Sequence, residues 1–428
     1  MADFGPVGGG VATVNGPAPL LIKTQSAHGL VDRDRVAIGM PDVPATPTCF
    51  VKCTGLPADT FAAYTAVDFV TPAAFAQPAR GTPIVKLAAT DWAVVAGINV
   101  YPAFASLQGP VRDALYFEKW LLTQAFVPSD QIRLVVTDDP PANPIKPTLD
   151  QVKAAFEDLA NQAVNNQDFY VGRRLYIFLS GHGIMPTRSG APNFNETALL
   201  MANAGPITLG NHLGGFSYAE WFRASGVFDE VILFVDCCRD QKDLVALTPP
   251  PMQTLAGQRP PARHFYAAAT QLASPSFEKP LGDPLEVRGV FSFVLMQALQ
   301  NSSLCDSSGV LTGKLLAAQL YREVPVLQNN QQPDIDYKAE FDVEFVKRLA
   351  PTKPKVTISF SAADLVGKAA ELIGRNYPTP EAVHIVDANA WPLLLDPAAY
   401  ILQVPGSPYQ KKLFEVDGQQ EVLNVAFP

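Results

Sequence analysis

Only five cysteines and five histidines occur in 428 residues. Five is an odd number and two of them are adjacent, at 237 and 238, so the chain carries no disulfide framework of the kind that staples small secreted folds. A cysteine that matters here matters for its reactivity. Charge is scarce as well, at 17% of residues with a net charge of −9 and no block of like sign, which argues against nucleic acid or an anionic membrane as a partner. No apolar run approaches the ~20 residues needed to span a bilayer. The opening "MADFGPVGGG" has neither the basic nor the apolar region of a secretory leader, so the expectation is a soluble, cytoplasmic protein. Internal repeats and long low-complexity tracts are also missing.

What is present is core-forming material, 48% hydrophobic, in a chain too long for one ordinary domain. Residues 1–88 alternate short β-rich runs such as "LLIKT", "RVAIG" and "FAAYT" with turn clusters, and read as a small all-β module. Over residues 89–350 the texture changes. Apolar strands ("WAVVAGINV", "QIRLVVTDD", "RLYIFLSGHG", "EVILFVDCCRD", "HFYAAAT") alternate with amphipathic helices. The first helix places Ala114, Phe117, Trp120 and Leu121 at helical spacing, and the second begins at a Thr148 or Asp150 cap. Strands apolar on both faces imply an α/β fold, a mainly parallel sheet with helices on both faces. Residues 351–428 alternate and turn like antiparallel strands, predicting a β-sandwich-like module.

Two of the central strands end on reactive side chains, His182 in "IFLSGHGIM" and Cys237–Cys238 in "FVDCCRD". Parallel neighbours bring such ends together at the carboxyl edge, where α/β sheets collect function. An imidazole beside a thiol raises its thiolate fraction and supplies an acid for a leaving amine. Gly183 lets a substrate carbonyl approach its N–H, which with the N–H of Cys238 would form an oxyanion hole. Read alone, each residue is more often structural, and the adjacent cysteines also admit a redox or soft-metal pair. Their joint placement at two strand ends favours catalysis.

"FLSGHG" and, 56 residues later, "FVDCCRD" resemble the histidine and cysteine motifs of caspase-like cysteine peptidases, especially metacaspases and their bacterial relatives. "AVVAGINVYP", "LQGPVRDALYFEKWL", "FYAAATQLASPSFE" and "GVFSFVLMQAL" extend the resemblance in order over roughly residues 91–345. It implies a Cys-His dyad with His182 as general base and acid and, from the Asp-x-Cys pattern, Cys238 as nucleophile. It also implies a protein or peptide substrate cut after Arg or Lys (P1), read by Asp113, Asp236 and Ser180. The residues after Cys238 depart from the metacaspase pattern, and the calcium-binding acids are missing after His182, where the chain reads "IMPTRSGAPNFNET". Hence no cofactor or metal, calcium included, is expected.

The Pro-rich loop over residues 248–263 holds Arg259 and Arg263, with Lys242 just upstream, as candidate self-cleavage sites. The β modules are candidate docking points for a regulatory partner. Bacterial relatives suggest a stress, cell-death or defence setting. Two other readings stand beside this one: a catalytically dead caspase-like scaffold, and a thiol redox protein using Cys237 and Cys238.

Overall fold

The structure, a computed structural model, describes residues 5–428 apart from 8, 16–19, 28, 32–33, 40, 42–46, 55, 65–79, 81, 83, 139–141, 167, 187–195, 243–244, 248, 254, 256–258, 283, 307, 339–341, 348–354, 375–378, 396–397 and 417–421. The chain divides into two compact units, 1–297 with 317–343, and 298–316 with 344–428.

The first unit opens with seven strands in one antiparallel sheet around Ile22, Val36, Val51 and Phe61. The runs "LLIKT", "RVAIG", "FVKCTG", "FAAYT" and "PIVKL" supply five of them, Leu21–Thr24, Arg35–Ile38, Thr48–Lys52, Thr60–Tyr64 and Ile84–Lys86. Gly5–Pro6 and Val11–Asn15, too short or too close to glycines to stand out, add the other two. This module is tied to the larger part of the unit by Arg35, which donates to Asp130 (2.9 Å) and Gln131 (3.2 Å), and by the bond from Ala88 N–H to Phe126 O.

That larger part is a six-stranded sheet of β1 (Asp91–Gly97), β2 (Ile132–Val136), β3 (Gly172–Ser180), β4 (Phe228–Asp236), β5 (Arg263–Ala268) and β6 (Asp334–Tyr337). Their order is β6-β5-β4-β3-β1-β2, every pair parallel except β5 with β6. Helices α1 (Pro110–Thr123), α2 (Leu149–Asn165), α3 (Gly215–Ser225) and α4 (Val290–Gln300) agree with the sequence-based reading; a further helix, α5 (Gly313–Leu327), was not foreseen.

Strand periodicity decides which helix meets which face. Leu175, Ile177, Leu179, Leu233 and Val235 pack with Val152 and Phe156 of α2 and Tyr218 and Phe222 of α3. The alternate residues turn the other way, so Phe117 of α1 stacks on Phe178 with ring centroids 4.8 Å apart and meets Phe234 at 5.7 Å. Each such side chain, fully buried, contributes about 1.5–3 kcal/mol of transfer free energy. Pro110 starts α1 where its missing N–H costs nothing. Thr148 caps α2, its N–H donating to Gln151 Oε1 at 3.0 Å. Gly226, at φ 64°, ends α3 in the left-handed conformation.

The second unit holds the short antiparallel pair Val310–Thr312 with Glu344–Lys347 and two larger β sheets. Lys355–Phe360 lies between Trp391–Leu394 (antiparallel) and Val422–Phe427 (parallel). A four-stranded sheet runs Ala382–Ile385, Ala369–Ile373, Ala398–Gln403, Lys412–Val416. Both sheets contribute to one core that includes Ile358, Leu372, Tyr400 and Phe427, the β-sandwich-like appendage read from the sequence.

Candidate active site

Ser180 and Asp236 are register partners at the ends of β3 and β4, and the Gly181 N–H still reaches Asp236 O at 3.2 Å. His182 and Cys238 therefore leave neighbouring parallel strands at matched positions, two residues beyond that pair. The close approach continues at Gly183, where a Cβ would run into Cys237 Sγ and come within 2.6 Å of Cys238 O. Glycine is needed at 183 because two backbones meet there.

The imidazole is fixed by backbone and aromatic groups. His182 N–H donates to the Tyr101 hydroxyl at 3.0 Å, and Nε2 lies 2.7 Å from Ala105 O. A carbonyl only accepts, so this contact assigns the proton to Nε2 and leaves Nδ1 as the basic nitrogen. The rings of Tyr101 and Phe104 flank the imidazole at centroid distances of 4.7 and 5.9 Å. Gly181, at φ +155°, makes room, since a Cβ there would strike the Tyr101 hydroxyl.

The two cysteines differ. Cys237 is buried in the α2/α3 core, and desolvation first, then the electrostatic influence of Cys238 and Asp236, pushes its thiol far up. Cys238 is half-buried. Its Sγ accepts from Ser276 N–H at 3.3 Å, and the thiol faces Ser276 O at 3.5 Å. Burial, with Asp240 and Asp236 adding, raises its pKa against the pull of the Ser276 N–H. Among the described residues no disulfide forms.

Asp113, Asp236 and Ser180 stand on the α1/α4 side of the sheet and are all buried. The two carboxylates meet at Gly289, where a Cβ would run into Asp236 Oδ2 and lie 3.1 Å from Asp113 Oδ2. Asp236 accepts from Ser276 Oγ (2.7 Å), Ser292 Oγ (2.7 Å) and Ser292 N–H (3.0 Å), while burial raises its pKa. Asp113 accepts from Gly289 N–H at 2.8 Å and is ion-paired with Arg288. Burial pushes its carboxyl up to about 7 against Arg288, with Asp236 adding to the rise. A third acid borders the cluster: Glu278 accepts from Gln108 N–H (3.1 Å) and Gly109 N–H (2.8 Å).

Two of the three candidate self-cleavage residues, Lys242 and Arg263, lie in strands. Lys242 ends a strand paired with Gly183–Pro186. Arg259 donates to Gly226 O at 2.9 Å and stacks on Tyr170 at 4.5 Å. Arg263 is the first residue of β5, paired in register with Glu230 and ion-paired to it. Residues 187–195, most of the stretch that lacks the calcium-binding acids, lie outside the described residues. Among the described residues no group of three or more His, Cys, Asp or Glu is placed to hold a metal ion, and no helix is long and apolar enough to cross a membrane.

Sequence reasoning missed Tyr101, Ala105, Ser276, Glu278, Arg288 and Ser292. All but Ala105 fall in or beside stretches whose family resemblance was visible, so the signal located the segments without the contacts.

A sheet with a thiol and an imidazole on its carboxyl edge, and buried acids beside them, defines the class of protein. A family model described as the caspase domain matches residues 90–336, more than half of the chain, which belongs to that family. Similar solved structures include protein GSU0716 from Geobacter sulfurreducens (12% identity, TM-score 0.38, covering 61% of this chain and 97% of that one). Caspase-1 from Spodoptera frugiperda is similar at 11% identity and TM-score 0.38, covering 61% and 92%, and pro-sf-caspase-1 at 11% and 0.35, covering 59% and 92%. No curated protein matches the chain.

Proposed function

We propose that the protein is a cysteine endopeptidase that cuts protein chains after basic residues, with Cys238 as nucleophile and His182 as base and acid. The observation that carries this reading is the held imidazole: Ala105 O accepts a hydrogen bond from Nε2–H, so Nδ1 is the nitrogen free to act as base. In the reaction the Cys238 proton passes to His182 Nδ1 and the sulfur attacks the carbonyl, whose oxyanion is received by the N–H groups of Gly183 and Cys238. The imidazolium then protonates the departing amine, leaving a thioester that water hydrolyses. The Cys238 thiol must first leave Ser276 O, so substrate entry and nucleophile release are one event. No calcium step is invoked. The β modules are the proposed docking points for a regulatory partner, and a stress, cell-death or defence pathway is the proposed setting.

A second reading, an inactive scaffold, is favoured by one feature: the thiol is held protonated against Ser276. Peptides carrying Arg, Lys, Asp or Leu before a fluorogenic leaving group separate the two. Cleavage after Arg and Lys, unchanged by chelator and abolished in Cys238→Ala, is expected. Silence of the wild type on every peptide would favour the scaffold, and activity confined to Asp or Leu would remove the roles given to Asp113 and Asp236. Self-cleavage at Arg263 would require part of the central sheet to open, so any processing is expected at Lys242 or Arg259.

A further inference from the structure

The strands Glu278–Leu281 and Glu286–Gly289 form a hairpin ahead of α4, with Lys279 opposite Arg288. Arg288 points inward: it is buried at 6% exposure, its Nε donates to Asp113 Oδ1, and its guanidinium carbon lies 4.1 Å from the Tyr116 ring centroid. A carboxylate on one edge and an aromatic face against the plane are what an arginine requires of a binding site. Here the buried Nη2 has no hydrogen-bond partner among the described residues. The neighbouring acids are already satisfied, Asp236 by serine groups and Glu278 by backbone N–H donors, so Asp113 is the carboxylate that holds the cation.

We infer that Arg288 is the specificity-determining residue of this acidic cluster: its guanidinium is the resident occupant of Asp113, and a basic side chain of the substrate enters only by replacing it. The inference rests on the peptidase reading for its biological meaning but not for its test. A buried carboxylate stripped of its cation is costly, so whatever displaces Arg288 must itself bring positive charge. Arginine matches the vacated geometry better than lysine, whose ammonium is a point charge without the planar fork.

The experiment compares wild type with Arg288→Gln in two measurements. In the first, the ratio of kcat/KM for an Arg peptide over a Leu peptide is expected to rise at least about tenfold in the variant. An unchanged ratio, with all peptides falling together and a lowered Tm, would mean that Arg288 only ties the hairpin to α1 and would overturn the inference. In the second, agmatine, a free alkylguanidine, is titrated by calorimetry. Binding to Arg288→Gln that is absent from wild type and from the Arg288→Gln/Asp113→Asn double variant supports the inference, and no binding to the single variant overturns it. If neither protein cuts any peptide, the peptidase reading fails while the calorimetry still decides this one. Should Arg288→Gln not fold, Arg288→Lys takes its place in both measurements: a rise of about threefold in the ratio is expected, and no rise overturns the inference.

Discussion

The two ends of the central sheet both bury charge, and they do so in opposite ways. At the amino end, Asp91 is bound by Arg173, and Glu230 by Arg173, Arg174 and Arg263, with Arg174 also donating to the Tyr176 hydroxyl at 2.8 Å. Three guanidiniums there surround two carboxylates drawn from four strands or their immediate starts. At the carboxyl end, Asp236 is held by serine groups, Asp113 by one arginine whose fork is not saturated, and the thiol by a loop backbone. Glu230 at the amino end is locked by arginines from two different strands. The groups at the carboxyl end are held by contacts that a ligand could exchange. One end fixes the strands; the other is arranged to let something in.

Breaking the amino end should produce the largest loss of stability. Arg174→Met keeps much of the volume but leaves Glu230 without the guanidinium that bonds it at 2.6 Å in a buried site. Removing one partner of a buried pair costs about 3–5 kcal/mol, which for a domain of this size lowers Tm by roughly 10 °C. Calorimetry checks this. The arginines pull the Glu230 carboxyl below its usual range against the cost of burial. Its contribution is therefore present above the unfolded pKa and lost as pH falls through the folded one, so the gap between wild type and variant should narrow in acid. A variant as stable as wild type would erase the contrast between the two ends.

Tyr101→Phe probes the carboxyl end where stability and chemistry are separable. It deletes the hydroxyl that accepts from His182 N–H and faces Leu200 O at 3.2 Å, while keeping the ring that flanks the imidazole. An unsatisfied buried N–H costs about 1–3 kcal/mol. If that cost falls on the orientation of the imidazole, kcat should drop about tenfold with KM nearly constant. Steady-state kinetics on the peptide best cleaved checks the split; a change confined to KM would put Tyr101 in substrate binding instead.

Legibility in the sequence depended on range. Five strands of the central sheet and helices α1 to α4 were readable because apolar periodicity is local, and so was the placing of His182 and Cys238 just past the ends of two strands, which the structure pairs as parallel neighbours. The Asp113–Arg288 pair spans 175 positions, and nothing in "EVRG" marks its arginine as buried. The Ala105 carbonyl carries no side-chain signal at all, which is why the partner of the imidazole could not be named from sequence. The prolines of 248–263 marked a loop but not its partners: Arg259 and Arg263 are bound at the amino end of the sheet.

The finest test of the comparison lies in the titration of one thiol. If the carboxyl end waits for substrate, Cys238 should behave as a protonated, partly screened cysteine. Desolvation, then the charges of Asp240 and Asp236, raise its pKa, and hydrogen bonds from backbone N–H groups, that of Ser276 first, oppose them. A raised pKa means less thiolate at neutral pH than in a free cysteine. Iodoacetamide alkylation should therefore be slow at pH 7 and climb past pH ~8.5, the ordinary thiol value. Asp240→Asn removes one raising charge and should move the inflection down by a fraction of a pH unit. Fast alkylation at pH 6, with an inflection below 7, would instead reveal a thiolate–imidazolium pair already formed at rest. The contact with Ser276 would then not hold the thiol, and the carboxyl end would be as fully committed before substrate arrives as the amino end is by its arginines.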